Sequence, residues 1–269
     1  MRKQARGAFF DLLAPHLAGR SISSQGASDA EASFREGRVL PFRAEHEMTR
    51  PAEAWLASRG LMTEREFATP WGLCDLVGCA INHKHASKRV ALGQTGALCS
   101  PLAAVILRQI PDAETGRSIR PRTLVARLGS IHGEDAVAQH IEDLTRKGFA
   151  QTTSRATLQR LNGWMPLHRC IVALELKIDR ISDALHQAAN NLGFADESYA
   201  GFPAEFAAKI GNSKWGTAFR QAGVGIVGVG KRRCAVLLSS DSSKSTQDPV
   251  LQAYFADRFW RKYLQTVEH

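Results

Sequence analysis

Glu175 and Lys177 stand two residues apart inside an apolar run, Val172-Ala173-Leu174-Glu175-Leu176-Lys177-Ile178. Side chains two apart on a strand share a face, so a carboxylate and an ammonium project together while Val172, Leu174, Leu176 and Ile178 pack behind them. Lys and Glu are seldom buried without partners, so the pair calls for a metal ion, a substrate phosphate or a second acid. The other reading is an edge strand carrying a surface ion pair, which is worth little energetically. A second acid is available in Leu73-Cys74-Asp75-Leu76-Val77, again a lone charge in an apolar run. Glu53 and Gln187 are further polar groups placed by pattern on helices that flank these runs.

The elements that must carry these residues follow from periodicity. His46 to Gly60 reads as a helix, with Pro51 near its start, Gly60 after its end and Trp55 and Leu56 able to face a core. Glu64 to Phe67 and Gly72 to Ile81 read as two strands around the turn signal Thr69-Pro70-Trp71-Gly72. After the Glu175 strand, Ile181, Ala184, Leu185, Ala188 and Leu192 form an apolar stripe at helical spacing, leaving Gln187 and Asn191 on a different side. Tyr199 to Phe202 reads as a strand, Glu205 to Gln221 as a helix, and Gly223 to Val229 with Cys234 to Ser239 as a strand pair. Asp248-Pro249 opens a last helix through about Val267, whose Tyr254, Phe255, Phe259, Trp260 and Tyr263 suggest a docking face for a homodimer or protein partner.

Composition narrows the partners. The 269 residues carry a net charge of +9, which favours polyanions and nucleic acid first. Residues 82–169 hold 13 Lys and Arg against 6 Asp and Glu, an excess of seven that accounts for most of the total. Within that segment Leu102 to Ile110, Thr123 to Leu128 and Glu134 to Lys147 have helical spacing, and Phe149 to Thr152 begins an extended stretch after Gly148. Lys84, Lys88 and Arg89, together with His83 and His85, read as a phosphate-contacting or simply solvated basic loop. No apolar run approaches the roughly 20 residues that span a bilayer, so no membrane partner is expected. Five cysteines, several in apolar runs, suit reduced core thiols and a cytoplasmic setting. The first 13 residues are basic then apolar and interrupted by Asp11, which reads as a short amphipathic docking helix followed by a polar arm over 21–38.

Helix with Glu53, hairpin strand with Asp75, strand with Glu175 and Lys177, helix with Gln187: in that order the chain resembles the PD-(D/E)xK nuclease superfamily. The resemblance implies an α/β fold, a restriction-endonuclease-like mixed sheet flanked by helices. Asp75 matches the first acid, Glu175 and Lys177 the (D/E)xK pair, Glu53 an accessory acid and Gln187 a polar residue of the following helix, although Cys74 stands where the motif often has Pro. It further implies Mg²⁺, with Mn²⁺ as substitute, bound by Asp75 and Glu175, and Lys177 acting on the attacking water or the scissile phosphate. The long segment between Asp75 and Glu175 fits as an insertion that resembles a mostly helical winged-helix domain, Arg122 to Leu128 matching its second helix and Ala136 to Gly148 its third.

These readings divide the chain into an N-terminal helix and arm (1–44), a discontinuous nuclease-like core (45–81 and 169–240), a basic insertion (82–168) and a linker with the aromatic helix (241–269). The expected function is metal-dependent hydrolysis of DNA phosphodiesters, the insertion holding duplex DNA through Lys84, Lys88, Arg89, Arg120, Arg122, Arg127, Arg146, Lys147 and Arg155. The alternative is a non-catalytic DNA-binding or adaptor protein that keeps the fold. Gly223 to Gly228 reads G-x-G-x-x-G but follows a helix and precedes a strand, the reverse of a dinucleotide site, and Cys74, Cys79, His83 and His85 have no zinc spacing.

Overall fold

A computed structural model describes residues 41–98, 100–161, 165–245 and 247–267. The N-terminal docking helix and arm therefore lie outside the described residues, apart from 41–44. In chain order the elements are α1 (His46–Ser58), β1 (Met62–Thr69), β2 (Gly72–Ile81), α2 (His83–Ala91), α3 (Pro101–Gln109), α4 (Pro121–His132), α5 (Glu134–Arg146), β3 (Ala150–Thr152), β4 (Leu158–Arg160) and β5 (His168–Leu176). Then come α6 (Ile181–Asn191), β6 (Glu197–Pro203), α7 (Ala204–Gly211), α8 (Lys214–Ala222), β7 (Gly225–Val229), β8 (Cys234–Leu238), α9 (Pro249–Arg258) and α10 (Trp260–Val267). The architecture is α/β, with a six-stranded sheet ordered β1-β2-β5-β6-β7-β8 and a separate two-stranded sheet β3-β4. The larger sheet is mixed: β5 and β6 are parallel, β6 and β7 are parallel, and β7 and β8 are antiparallel. Among the described residues no helix is long and apolar enough to cross a membrane.

The described residues separate into two compact units, those within 41–78 and 170–247 and those within 79–169 and 248–267. In the first, Met48, Ala52 and Leu56 recur every four residues on α1 and are fully buried, the stripe of an amphipathic helix. The helix begins five residues before Pro51, earlier than the proline signal suggests. Pro70 and Trp71 make the two-residue turn between β1 and β2, where Thr69 Oγ1 accepts from Trp71 N at 3.2 Å. Trp71 then stacks on Phe194, which stacks on Phe67, fixing the turn against the unit's own core.

β5 is buried over its second half, as an apolar run in the middle of a sheet requires. Its register against β6 pairs Glu175 with Ala200 and Leu176 with Gly201. A Cβ on Gly201 would lie 2.7 Å from Leu176 Cδ2, so the glycine lets Leu176 pack flush on the neighbouring strand. The Ile181, Ala184, Leu185 and Ala188 stripe of α6 packs with Phe206, Ile210, Trp215, Phe219 and Phe202 in one core cluster. The single helix read over 205–221 is two helices, because Ser213 caps a new start by accepting from Trp215 N at 3.1 Å.

In the second unit α3, α4 and α5 are followed by the β3–β4 hairpin, and Leu107, Leu124, Val137, Ile141 and Leu144 are buried. Ile119, in the segment before α4, bridges antiparallel to Leu158 and ties the hairpin to that segment. Residues 83–91, read from sequence as a basic loop, form a helix capped by Asn82, whose side chain accepts from His85 N. The terminal helix is interrupted at Phe259 to give α9 and α10. Phe255, Phe259, Trp260 and Tyr263 are buried in the chain's own fold, so the aromatic face expected to dock a partner is already used. Trp260 Nε1 donates to Thr95 O at 3.0 Å within the same unit.

Candidate functional site

The charged groups of the sheet meet at the end of β5, in the first unit. Asp75 on β2 accepts the backbone N–H of Leu176 through Oδ2 at 2.7 Å, which ties its carboxylate to the end of β5. Just beyond the strand, Lys177 N donates to Gly201 O at 3.0 Å, which anchors the lysine backbone on β6. Its ammonium is buried, 3.7 Å from Asp75 Oδ2 and 3.8 Å from Glu45 Oε2, and donates to Leu176 O at 3.2 Å. Glu45, immediately before α1, also accepts from Arg180 at 3.3 Å, and Arg180 in turn reaches Asp183 at 3.2 Å. The cluster is thus three acids and two cations drawn from three separate stretches of chain.

Glu175 is 2% exposed. Its Oε1 accepts from Asn191 Nδ2 on α6 at 2.7 Å, while Oε2 is buried with no hydrogen-bond partner. Burial, and then the nearby charge of Asp75, push the Glu175 carboxyl above its ordinary value; the Asn191 hydrogen bond, the Lys177 charge and a bond from Cys74 oppose this. Among the described residues no ion pair joins Glu175 directly to Lys177, whose partners are Asp75 and Glu45. Cys74 Sγ lies 3.5 Å from Asn191 Nδ2, and burial raises its thiol well above the ordinary value, which makes it an inert part of the wall.

Two of the sequence-selected groups sit elsewhere. Glu53 is held by Thr63 Oγ1 at 3.1 Å and by the Arg65 guanidinium on β1, a surface arrangement in which Arg65 is more than half exposed. Gln187 is exposed on α6, away from the stripe that faces the sheet. Their places are taken by Glu45 and Asn191. The sequence pattern groups Asn191 with Gln187 off the apolar stripe, and the structure corrects this for Asn191, which is buried beside the stripe one turn beyond Gln187, where an amide must have a partner. Glu45 carries no comparable signal, since it precedes the helix and its reach to Lys177 depends on how the chain enters α1.

Of the basic residues assigned to DNA, Lys84, Arg120, Arg122, Arg127 and Arg155 are exposed. Lys88 is exposed but paired with Glu114 at 3.1 Å, and Arg146 is exposed and paired with Asp143. Lys147 is half-buried and reaches Ala97 O at 3.4 Å. Arg89 is a correction: it is fully buried, bonded to Asp257, Gln94 O and Gly96 O, with Trp260 4.2 Å and Phe149 5.1 Å from its guanidinium. An arginine in that setting holds the second unit together and has no face to offer a phosphate.

Two carboxylates with hard oxygen donors, one bearing an orphaned buried oxygen, suit a Mg²⁺-type cation, which takes one or two carboxylates and keeps its remaining ligands as water. Among the described residues no group of three His, Cys, Asp or Glu is arranged to hold a metal. Comparison with protein-family models, with curated proteins and with solved structures gives no match for this chain.

Proposed function

We propose that this chain is a metal-dependent nuclease that hydrolyses phosphodiester bonds of DNA. The observation that carries the reading is Glu175, a carboxylate buried with one oxygen unpartnered, beside an Asp75–Lys177–Glu45 cluster at the end of a central strand. A fold does not keep a buried carboxylate with one oxygen unpartnered for stability, since an apolar replacement would serve it better. Asp75 and Glu175 are the residues that would hold Mg²⁺, which when bound supplies an activated water and stabilises charge on phosphate. The chain's own groups do the rest. Lys177 presents a positive charge where charge develops on the scissile phosphate. Glu45 and Leu176 O hold that ammonium in place, and Asn191 fixes the rotamer of Glu175.

The succession α1-β1-β2, then β5-α6-β6, with spatial order β1-β2-β5-β6 and β5 parallel to β6, supports a restriction-endonuclease-like core. Within the second unit, the succession of α3, α4 and α5 and then the β3–β4 hairpin supports a winged-helix-like insertion. The charge on that unit argues for a particular mode of contact. α5, the helix that the resemblance would send into the groove, exposes Glu134, Asp135 and Glu142, whereas Arg117, Arg120, Arg122, Arg127 and Arg155 are exposed on the approach to α4, on α4 itself and at the hairpin tip. In this reading DNA is held by its phosphates through the α4 region and the hairpin, and α5 stays out of the groove.

Purified protein incubated with supercoiled plasmid tests the proposal. Nicking with Mg²⁺ or Mn²⁺ that is abolished by EDTA and by Lys177→Ala supports it. Folded protein that binds duplex DNA yet cuts neither plasmid, linear duplex nor single strands with either ion would sink it in favour of a non-catalytic adaptor.

A further inference from the structure

The second unit contains a cavity of about 390 Å³ whose wall includes Arg108, Arg160, His168, Gln252, Pro166 and Pro249. Two guanidiniums line one space, and no carboxylate is among the described residues that line it. Arg160 is poorly settled by the protein itself. Its Nη2 is 3.6 Å from Asp112, its Nη1 reaches Leu107 O only at 3.4 Å, and its Nε is buried with no hydrogen-bond partner. A guanidinium has five donors, so this one enters the wall of a cavity with most of its bonding capacity weakly used. Burial lowers its basicity first, Asp112 opposes that, and the like charge of Arg108 lowers it further.

A cavity that holds two such cations is suited to a dianion, and planar guanidiniums match phosphate oxygens two at a time. The lining also includes the apolar Met165, Pro166, Pro249 and Ala253, and the volume falls in the range of small-molecule sites. We propose that this cavity binds a phosphate monoester carrying an organic body of nucleotide size, the phosphate on Arg108 and Arg160 and the organic part on the prolines and Met165. The site lies wholly in the second unit and uses none of the residues of the Asp75 cluster, so it stands or falls independently of the nuclease reading. One chemistry has two sources here: a free nucleoside monophosphate, or the phosphorylated end of a nucleic-acid strand.

Isothermal titration of the full chain with inorganic phosphate and with a nucleoside 5′-monophosphate, in EDTA and about 0.15 M salt to suppress non-specific attraction, is the test. Saturable binding of the monophosphate, weakened about tenfold or more (~1.4 kcal/mol) by Arg108→Ala, and unchanged by Glu175→Gln, is the expected result. Arg108 is exposed, so its removal leaves the fold intact, and a thermal melt of the variant without ligand checks this. Displacement of the monophosphate by a 5′-phosphorylated oligonucleotide but not by its dephosphorylated twin identifies the strand end as ligand. Displacement by neither identifies the free nucleotide. Absence of saturable monophosphate binding, or equal affinity in Arg108→Ala, overturns the proposal.

Discussion

Replacing Glu175 by Gln should stabilise the protein at neutral and alkaline pH while removing its activity. The amide keeps the shape of the side chain and the bond from Asn191 Nδ2, which meets the Oε1 position at 2.7 Å. It removes a charge that burial and Asp75 disfavour. Buried polar atoms left without partners cost about 1–3 kcal/mol, more when charged. Glu175 Oε2 is such an atom, but the new amide nitrogen inherits its lack of a partner, so only the charged part of the penalty is recovered. A gain of about 1–2 kcal/mol is expected, the size seen when a functional site gives up stored instability. For a chain of this length that corresponds to a rise in Tm of roughly 2–8 °C.

The pH dependence fixes the cause. The folded-state value of Glu175 is raised above its usual 4.5, so between 4.5 and that raised value the folded state binds more protons than the unfolded one. The wild type therefore loses stability as pH rises through this window, and the variant does not. Thermal melts in EDTA should show the two proteins converging near pH 4.5, where the carboxyl is protonated in the folded wild type, and diverging in favour of the Glu175→Gln variant as pH rises. Adding Mg²⁺ should close the gap from the other side, because a ligand that binds only the folded wild type stabilises it by about 2.7 kcal/mol at a hundredfold excess over Kd. A variant that melts at or below the wild type at pH 8, or whose advantage is the same at pH 4.5 and 8, would refute the electrostatic argument.

Two further substitutions separate architecture from chemistry. Arg89→Met strands Asp257, which also accepts the Leu98 N–H, in a fully buried position, so urea unfolding should show a loss of about 3–5 kcal/mol; an unchanged denaturation midpoint with weakened DNA binding would return Arg89 to the phosphate-contacting set. Glu45→Gln loosens the buried Lys177 ammonium and should lower the cleavage rate by about tenfold or more, ~1.4 kcal/mol of barrier, while Gln187→Ala leaves it unchanged. Equal effects from the two would mean that Lys177 is not positioned through Glu45.

The parts of this protein that were legible in its sequence are those set by local period. β2 and β5 declare themselves as apolar runs, and a lone Asp75, Glu175 or Lys177 in such a run stands out because a buried charge has to be explained. The α6 stripe predicts its own buried face, yet the same pattern sets Gln187 and Asn191 together off that stripe, and only the structure separates them, with Asn191 buried on Glu175 and Gln187 exposed. Periodicity also reads through short interruptions, which is why 205–221 appeared continuous although Ser213 restarts the helix.

What depends on distant partners was hidden. Arg89 and Asp257 are 168 residues apart, and nothing within either segment distinguishes a buried arginine from a solvated one. The same ambiguity runs through the whole basic segment: a count of charges over 82–169 gives equal weight to exposed Arg122, to Arg146 already paired with Asp143, to Arg89 in a core and to Arg160 in the wall of a cavity. Net charge states that an anion is favoured somewhere. Burial and pairing divide that single statement into two testable ones, a solvated stretch of arginines around α4 suited to a polyanionic backbone and an Arg108–Arg160 pair lining one cavity, suited to one compact phosphate.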